Sequence, residues 1–323
     1  MKQSSLEFER PILELEQKIS ELKKFSQEKG IDVTSELKNL EKKLEGLRHQ
    51  ILQNLTAWQR VQIARHPQRP YTLDYIRLVM EEFIELHGDR RFGDDQALVG
   101  GFAKMEDHRL MVLGHQKGRD LKERQKRSFG CAHPEGYRKA LRLMQMAEKA
   151  KTPILALIDT PGAYPGVGAE ERGQAEAIAV NLREMSQIKV PIVAAVIGEG
   201  GSGGALGIGV ADRILILENA YYSVISPEGC ASILWREKGK MVDAAEALKL
   251  TAYDLLSLGI VDEIIPEPIG GAHHDYEITA RHLRKTVQKH LLELIKMGSE
   301  ELIETRYQKF RKMGVFTEFK PEG

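Results

Sequence analysis

The sequence predicts an α/β fold whose parallel strands are joined by helical crossovers. Three observations carry that reading. From Pro134 onward, short apolar β-type runs alternate with helical stretches, as right-handed βαβ connections require. Two of the runs, Pro153–Ile158 and Pro191–Ile197, read as buried strands. Each empties into a glycine-rich loop that opens a helix: Asp159-Thr-Pro-Gly-Ala-Tyr-Pro-Gly-Val-Gly168 after the first, Ile197-Gly-Glu-Gly-Gly-Ser-Gly-Gly-Ala-Leu-Gly-Ile-Gly209 after the second.

A chain of 323 residues can hold one large domain or two smaller ones. Its formal net charge is zero, so neither nucleic acid nor an anionic membrane is expected as a bulk partner. The apolar runs are too short to span a bilayer, and the first ten residues lack a signal-peptide core. Cys131 and Cys230 lie far apart and outside any CxxC, which argues for a reducing compartment without a disulfide framework or zinc ribbon. A soluble cytoplasmic protein is expected.

Residues 1 to about 56 read as a helical hairpin. Pro11 suits a first helical turn, Ile12, Leu15, Ile19 and Leu22 recur at helical spacing, and Gly30 breaks the pattern. Leu37, Leu40, Leu44, Leu47 and Ile51 then resume it as a packing seam against the body or a second subunit. The connector Arg65-His-Pro-Gln-Arg-Pro-Tyr71 closes an N-terminal unit of residues 1–70. Thr72 is the expected N-cap of a helix that turns Leu73, Ile76, Met80, Phe83 and Ile84 inward. Ala97–Ala103 and Leu110–His115 read as an antiparallel hairpin.

Lys117–Arg127, the most basic stretch, reads as a solvated face, with Lys122 and Arg124 as candidate contacts for a phosphate or an acidic partner. Beyond it come a helix at Tyr137–Ala150, the first buried strand, a helix over Ala169–Gln187, and the second strand with its glycine loop. Strands at Arg213–Leu217, Tyr222–Ile225 and Val261–Ile265 follow, with helices at Cys230–Trp235, Val242–Leu250 and Asp254–Leu258 between them. The core is thus expected over 71–268, with a helical segment at 269–323.

The second glycine loop admits several chemistries. Gly198-x-Gly200-x-x-Gly203 matches the dinucleotide fingerprint, with Glu218 at the ribose-binding distance, but the following helix has room for only about two turns within a unit of ~30 residues. Gly200-x-Ser202-x-Gly204 matches a nucleophile elbow, with Asp262 and His273 in hydrolase order, yet nothing in the flanking glycines holds Ser202 in a strained turn. Asp159-Thr-Pro-Gly162 resembles a GTPase DxxG but lacks a partner P-loop. A tight turn with close helix–strand packing explains one or two glycines, not six between Gly198 and Gly207. No His, Cys or carboxylate cluster has metal-ligand spacing, so no metal is expected. What remains is an oxyanion cradle of backbone donors, built where two loops leave consecutive parallel strands side by side.

Several long motifs then carry a resemblance: Asp159–Gly173, Ile197–Leu206, Tyr222-Ser-Val-Ile-Ser-Pro-Glu-Gly229, Ala64–Tyr75, Pro134–Met144 and Glu267-Pro-Ile-Gly-Gly-Ala-His273. Together they resemble the alpha subunits of the bacterial acetyl-CoA carboxylase carboxyltransferase, nearly end to end. The resemblance implies a crotonase-type ββα spiral, a homologous beta subunit bearing a zinc ribbon, and an α2β2 heterotetramer. It also implies transfer of a carboxyl group from carboxybiotin, held on a biotin carboxyl carrier protein charged by biotin carboxylase, to acetyl-CoA, giving malonyl-CoA for fatty-acid synthesis. No cofactor is expected on this chain itself. By the same resemblance the backbone N–H groups of Gly203 and Gly204 cradle the biotin carbonyl oxygen, and Gly162, Ala163, Gly200, Gly201 and Ala205 line the pocket. Ser202 is then a spacer, and Lys122 and Arg124 are candidate CoA or carrier contacts. A stand-alone crotonase-fold acyl-CoA hydratase or hydrolase is the alternative, and a non-catalytic scaffolding relative a further one.

Overall fold

The computed structural model describes residues 6–315. Helices α1 (Arg10–Lys29) and α2 (Thr34–Leu52) form the expected hairpin, with Gly30 at φ +64 closing α1. Ion pairs Lys23–Glu41 at 2.7 Å and Arg48–Glu16 at 2.5 Å bind the two arms. The Leu37–Ile51 stripe is half-buried rather than enclosed. After α3 (Ala57–Ala64) and the connector comes α4 (Thr72–Val79).

The sequence misplaced the ends of α4. Tyr71 is its N-cap, with Asp74 accepting from the Tyr71 N–H at 2.8 Å. Thr72 lies one residue inside, where its hydroxyl donates to the His115 carbonyl at 2.5 Å and ties the helix to the sheet. The helix stops at Val79; Phe83 and Ile84 belong to strand β1 (Glu81–Glu85), and Ile84 points to solvent at 64 % exposure. Two consecutive strand residues had continued the apolar spacing of the helix.

Strands β2 (Leu98–Met105) and β3 (His108–His115) pair in antiparallel register as expected. The remaining strands are parallel: β4 (Ile154–Thr160), β5 (Ile192–Gly201), β6 (Arg213–Leu217), β7 (Tyr221–Ser223) and β8 (Glu263–Ile265). Among the described residues they form one mixed sheet in the order β1-β2-β3-β4-β5-β6-β8, with β7 pairing the far end of β5. Every residue of β4 and β5 is buried, because helices cover both faces. Crossovers α5 (Leu121–Lys126) with α6 (Pro134–Lys149), then α7 (Val167–Glu171) with α8 (Gln174–Met185), carry the chain from β3 to β5. The single helix expected over 169–187 is broken at Gly173, whose φ of +81 only glycine takes cheaply.

Helix α9 (Ser202–Leu206) follows β5 directly. Helix α10 (Pro227–Leu234) starts earlier than expected, because Ser226 caps it by accepting from the Gly229 N–H at 3.1 Å. Helices α11 (Met241–Ala247) and α12 (Ala252–Ser257) precede β8, and α13 (Tyr276–Leu294) and α14 (Ser299–Arg311) end the described chain. Leu283, Val287 and Leu291 of α13 enter the same apolar core as the sheet. Arg306 of α14, 1 % exposed, grips both oxygens of Asp212 at 2.9 and 2.8 Å and the carbonyls of Met185 and Ile188.

Candidate functional site

The two glycine loops meet at the carboxyl ends of β4 and β5, where the strands pair from Ile154↔Ile192 to Thr160↔Gly200. In the first loop the Thr160 hydroxyl accepts the Gly162 N–H at 3.1 Å and donates to the Gly162 carbonyl at 2.7 Å. That turn commits the Gly162 N–H and leaves its φ at +155.

A Cβ added along the second loop would strike a neighbour at nearly every glycine. At Gly198 it meets the Asp159 carboxylate carbon at 2.8 Å, at Gly200 the Tyr222 ring at 2.8 Å, and at Gly207 the Tyr137 ring at 2.6 Å. At Gly201 it meets the Pro161 carbonyl, and at Gly204 the Ala163 nitrogen at 2.5 Å. Close packing therefore accounts for five of the six glycines, far more than the sequence suggested. Gly203 is the exception: its Cβ position meets only Ile178 Cδ1, at 3.8 Å, so the fold itself does not demand glycine there.

Gly203 and Gly204 are the second and third residues of α9, so their N–H groups precede the helix's own hydrogen-bond ladder. Gly203 is half-exposed and Gly204 buried. Gly200, Gly201 and Ala205 are buried around them, and Gly162 and Ala163 form the facing wall.

Ser202 has φ +51, so its backbone is held in the left-handed region, contrary to the expectation that nothing constrains it. The hydrolase triad is nonetheless not assembled. Asp262 pairs with Lys309 and accepts the Ile214 N–H at 2.6 Å, at the opposite end of the strands. His273 stacks on His66 with ring centroids 4.0 Å apart. Among the described residues Ser202 makes no side-chain hydrogen bond to either. The dinucleotide reading fails as well, since α9 is one short turn and Glu218 accepts from the Tyr253 hydroxyl at 2.8 Å.

Beneath the loops lies a charge network that sequence reasoning missed. Asp159 ends the apolar run of β4 and Glu199 sits inside β5 just before the loop; they are 1 % and 6 % exposed. Lys117, just past the end of β3, bridges them, with Nζ 2.7 Å from Asp159 Oδ1 and 2.7 Å from Glu199 Oε2. The Glu199 N–H also donates to Asp159 Oδ1, at 2.9 Å. Arg65 Nε and the Tyr221 hydroxyl reach Glu199 Oε1, both at 2.7 Å, and Arg65 pairs further with Glu228 at 2.5 Å. Arg69, fully buried, donates to the Ile197 carbonyl at 2.7 Å and forks onto Glu267.

The titration behaviour follows from this geometry. Burial works to raise Glu199, but Lys117, Arg65 and Tyr221 hold it down at about 2. Burial raises Asp159, with Lys117 opposing and the Glu199 charge adding. Burial works against the Lys117 charge, yet its two carboxylates lift its pKa above the ordinary lysine value. Two acids at the ends of apolar strands were the available signal, since a buried carboxylate requires a cation. Nothing in the sequence said which cation.

The 117–127 stretch is consequently not a uniform solvated face. Arg119 pairs with Asp74 and lies 4.0 Å over the Tyr71 ring, Arg124 donates to the Gly118 carbonyl at 3.1 Å, and Arg127 pairs with Glu123 at 3.0 Å. Lys122 is exposed. Among the described residues Glu9, His273 and His274 bring ligand-type atoms within 4.8 Å of one another, a grouping that sequence spacing hides. No helix among the described residues is long and apolar enough to cross a membrane.

Comparison with known proteins bears on this site. Residues 5–314 match the family model described as acetyl co-enzyme A carboxylase carboxyltransferase-like. An acetyl-coenzyme A carboxylase carboxyl transferase subunit alpha from Geobacter metallireducens is 58 % identical over 316 residues, covering 98 % of this chain and 99 % of the relative. The Thermus thermophilus subunit of the same name is 56 % identical, covering 97 % and 99 %. Among solved structures, transcarboxylase 12S superposes with a TM-score of 0.56 at 18 % identity, over 79 % of this chain and 44 % of that one. A Pseudomonas malonate decarboxylase hetero-tetramer gives 0.56 at 17 % identity, over 67 % and 86 %. Those distant likenesses establish the crotonase-like carboxyltransferase fold. The full-length agreement establishes more: this chain belongs to the acetyl-CoA carboxylase carboxyltransferase family, as an alpha subunit.

Proposed function

We propose that the Gly203 and Gly204 N–H groups form the oxyanion hole for the ureido oxygen of carboxybiotin during carboxyl transfer to acetyl-CoA. As the carboxyl group leaves, charge develops on that oxygen, and fixed donors stabilise it without reorganising. The biotin nitrogen released in the same step takes the proton from acetyl-CoA, so substrate chemistry supplies the base. Gly162, Ala163, Gly200, Gly201 and Ala205 shape the pocket. The observation that carries this reading is Gly203, a half-exposed glycine whose Cβ position meets nothing closer than Ile178 at 3.8 Å, in a loop whose other glycines are all required by packing.

The second half-site belongs to a beta subunit that carries the expected zinc, in an α2β2 heterotetramer in the cytoplasm, served by a biotin carboxyl carrier protein and biotin carboxylase. Val224, exposed by 76 % just after the strand paired with Glu199–Gly201, and Ile233 and Leu234 of α10, exposed by 70 % and 65 %, offer apolar surface for that subunit. Within the described residues, the unit of 1–70 clasps it, the core of 71–268 holds the site, and the unit of 269–323, whose last eight residues lie outside the described ones, buttresses the core. Lys122 and Arg124 contact CoA or the carrier.

The test is malonyl-CoA decarboxylation onto biocytin, with and without a zinc-ribbon beta subunit. Activity needs both chains. Gly203→Val keeps its N–H and folds normally, but its side chain blocks the approach to that donor and turnover falls on the order of 10²-fold or more, as on loss of one oxyanion donor; Ser202→Ala retains activity. Full activity in Gly203→Val would sink the assignment, and activity without the partner would favour a stand-alone acyl-CoA enzyme.

A further inference from the structure

Sequence spacing predicts no metal site, yet the fold brings three metal-ligating side chains together from the two ends of the chain. Glu9 closes the turn Glu7–Glu9 ahead of α1, and His273 and His274 lie in the loop between β8 and α13. One Glu9 oxygen and one ring nitrogen of each histidine lie within 4.8 Å of one another.

The carboxylate is held with one oxygen open. Glu9 is 6 % exposed, and its Oε2 accepts the Leu6 N–H at 3.3 Å. That contact leaves Oε1 4.0 Å from His274 Nε2. Among the described residues Oε1 is buried and accepts no hydrogen bond, and His273 Nδ1 is likewise buried without a partner. Buried polar atoms are ordinarily satisfied, and a buried carboxylate oxygen calls for a cation.

The surroundings fix the two rings. His66, in the connector, stacks on His273 with centroids 4.0 Å apart, and the His273 and His274 centroids are 4.3 Å apart. Gly270 and Gly271, at φ +92 and +115, fold the loop so that backbone lies against both rings. A Cβ at Gly270 would meet His274 Nε2 at 2.7 Å, and one at Gly271 would meet His273 Nδ1 at 3.2 Å. The Ala272 N–H is tied at 2.7 Å to Glu267, the carboxylate that Arg69 grips.

We propose that Glu9, His273 and His274 bind one divalent transition-metal ion of the zinc type, which staples the N-terminal hairpin to the loop entering α13. Two imidazoles and one carboxylate suit such an ion, whereas magnesium and calcium take oxygen ligands. Zinc holds N and O ligands at ~2.0–2.2 Å, so they stand roughly 3.4 Å apart and the three donors close in by up to about 1.4 Å on binding. His274 is the exposed member, so the ion enters past its ring from solvent, and water fills the fourth position. The inference does not depend on the carboxyl-transfer reading, because its readouts are binding and stability.

The experiment uses the untagged full chain, stripped with a chelator and kept apart from the expected partner, which brings zinc of its own. Zinc is titrated against a chromophoric chelator, and cobalt(II) is followed by its visible absorption. One ion binds per chain with micromolar or tighter affinity. Cobalt gives visible bands without a near-ultraviolet thiolate band from Cys131 or Cys230, and zinc raises Tm where magnesium does not. Glu9→Gln and His274→Ala each weaken zinc on the order of 10-fold or more, at least the cost of losing an outer-shell partner, and remove the rise in Tm. No stoichiometric zinc, a thiolate band, or unchanged affinity in both variants would overturn the proposal. So would a chain that zinc leaves unaffected and that either variant destabilises only at mildly acid pH, since a protonated His274 paired with Glu9 needs no metal.

Discussion

Replacing Lys117 by methionine is the sharpest test of the network under the glycine loops. The substitution keeps the length of the side chain and removes the ammonium that lies 2.7 Å from both Asp159 and Glu199. Among the described residues Glu199 keeps Arg65 and Tyr221, but Asp159 keeps only the Glu199 N–H. Breaking a buried pair from one side leaves an uncompensated charge and costs about 3–5 kcal/mol. For a chain of this size that is a fall in Tm of roughly 10 °C. The pH dependence is distinctive. With the cation gone, one carboxylate of the pair has a raised folded-state pKa, so the folded state binds the extra proton above the unfolded pKa. Stability of the variant then rises as pH falls from neutrality toward the ordinary carboxylate range, more steeply than in the wild type, where Lys117 opposes the raised Asp159. Urea unfolding across that range reads both effects, and adding Asp159→Asn to Lys117→Met should recover much of the loss. A loss under about 1 kcal/mol with an unchanged pH slope would refute the account, because surface pairs behave that way.

The same network predicts the acid limit of the wild-type chain. Glu199 is held at about 2, below the ordinary glutamate value of 4.5, so it contributes on the order of 3 kcal/mol that is fully present above its unfolded pKa. That contribution fades as pH falls from there toward 2, and Glu199→Gln should flatten this part of the urea-midpoint profile. A double substitution of Lys122 and Arg124 should raise the apparent KM for malonyl-CoA or carrier in the assembled enzyme, with no more change in Tm than loss of the Arg124–Gly118 hydrogen bond brings. Unchanged KM for both would remove that stretch from the substrate path.

The sequence made the repeating architecture legible because strand and helix periodicities differ, and β2 through β6 follow it closely. It failed where two periodicities overlap. Phe83 and Ile84 continue the apolar spacing of α4, yet they belong to an edge strand whose pairing with β2 is a long-range fact. The candidate site was read from the sequence as a backbone feature, and the cause of its glycines was misjudged. Six glycines suggested a ligand throughout, whereas five are dictated by the Pro161–Ala163 turn, Asp159 and two tyrosine rings that only the fold brings near. The charged residues were invisible for a related reason. Lys117, Asp159, Glu199 and Arg65 stand on four separate segments, and each alone resembles an ordinary surface charge. Their joint burial explains why the loops can be rich in glycine and still hold position. A glycine loop in isolation loses much conformational entropy on ordering. Here the entries to both loops are pinned by one ammonium and the turn of the first by Thr160, so rigidity comes from side chains outside the loops. On the oxyanion-hole proposal, that rigidity is what lets backbone donors face a substrate at Gly203 without a side chain in the way.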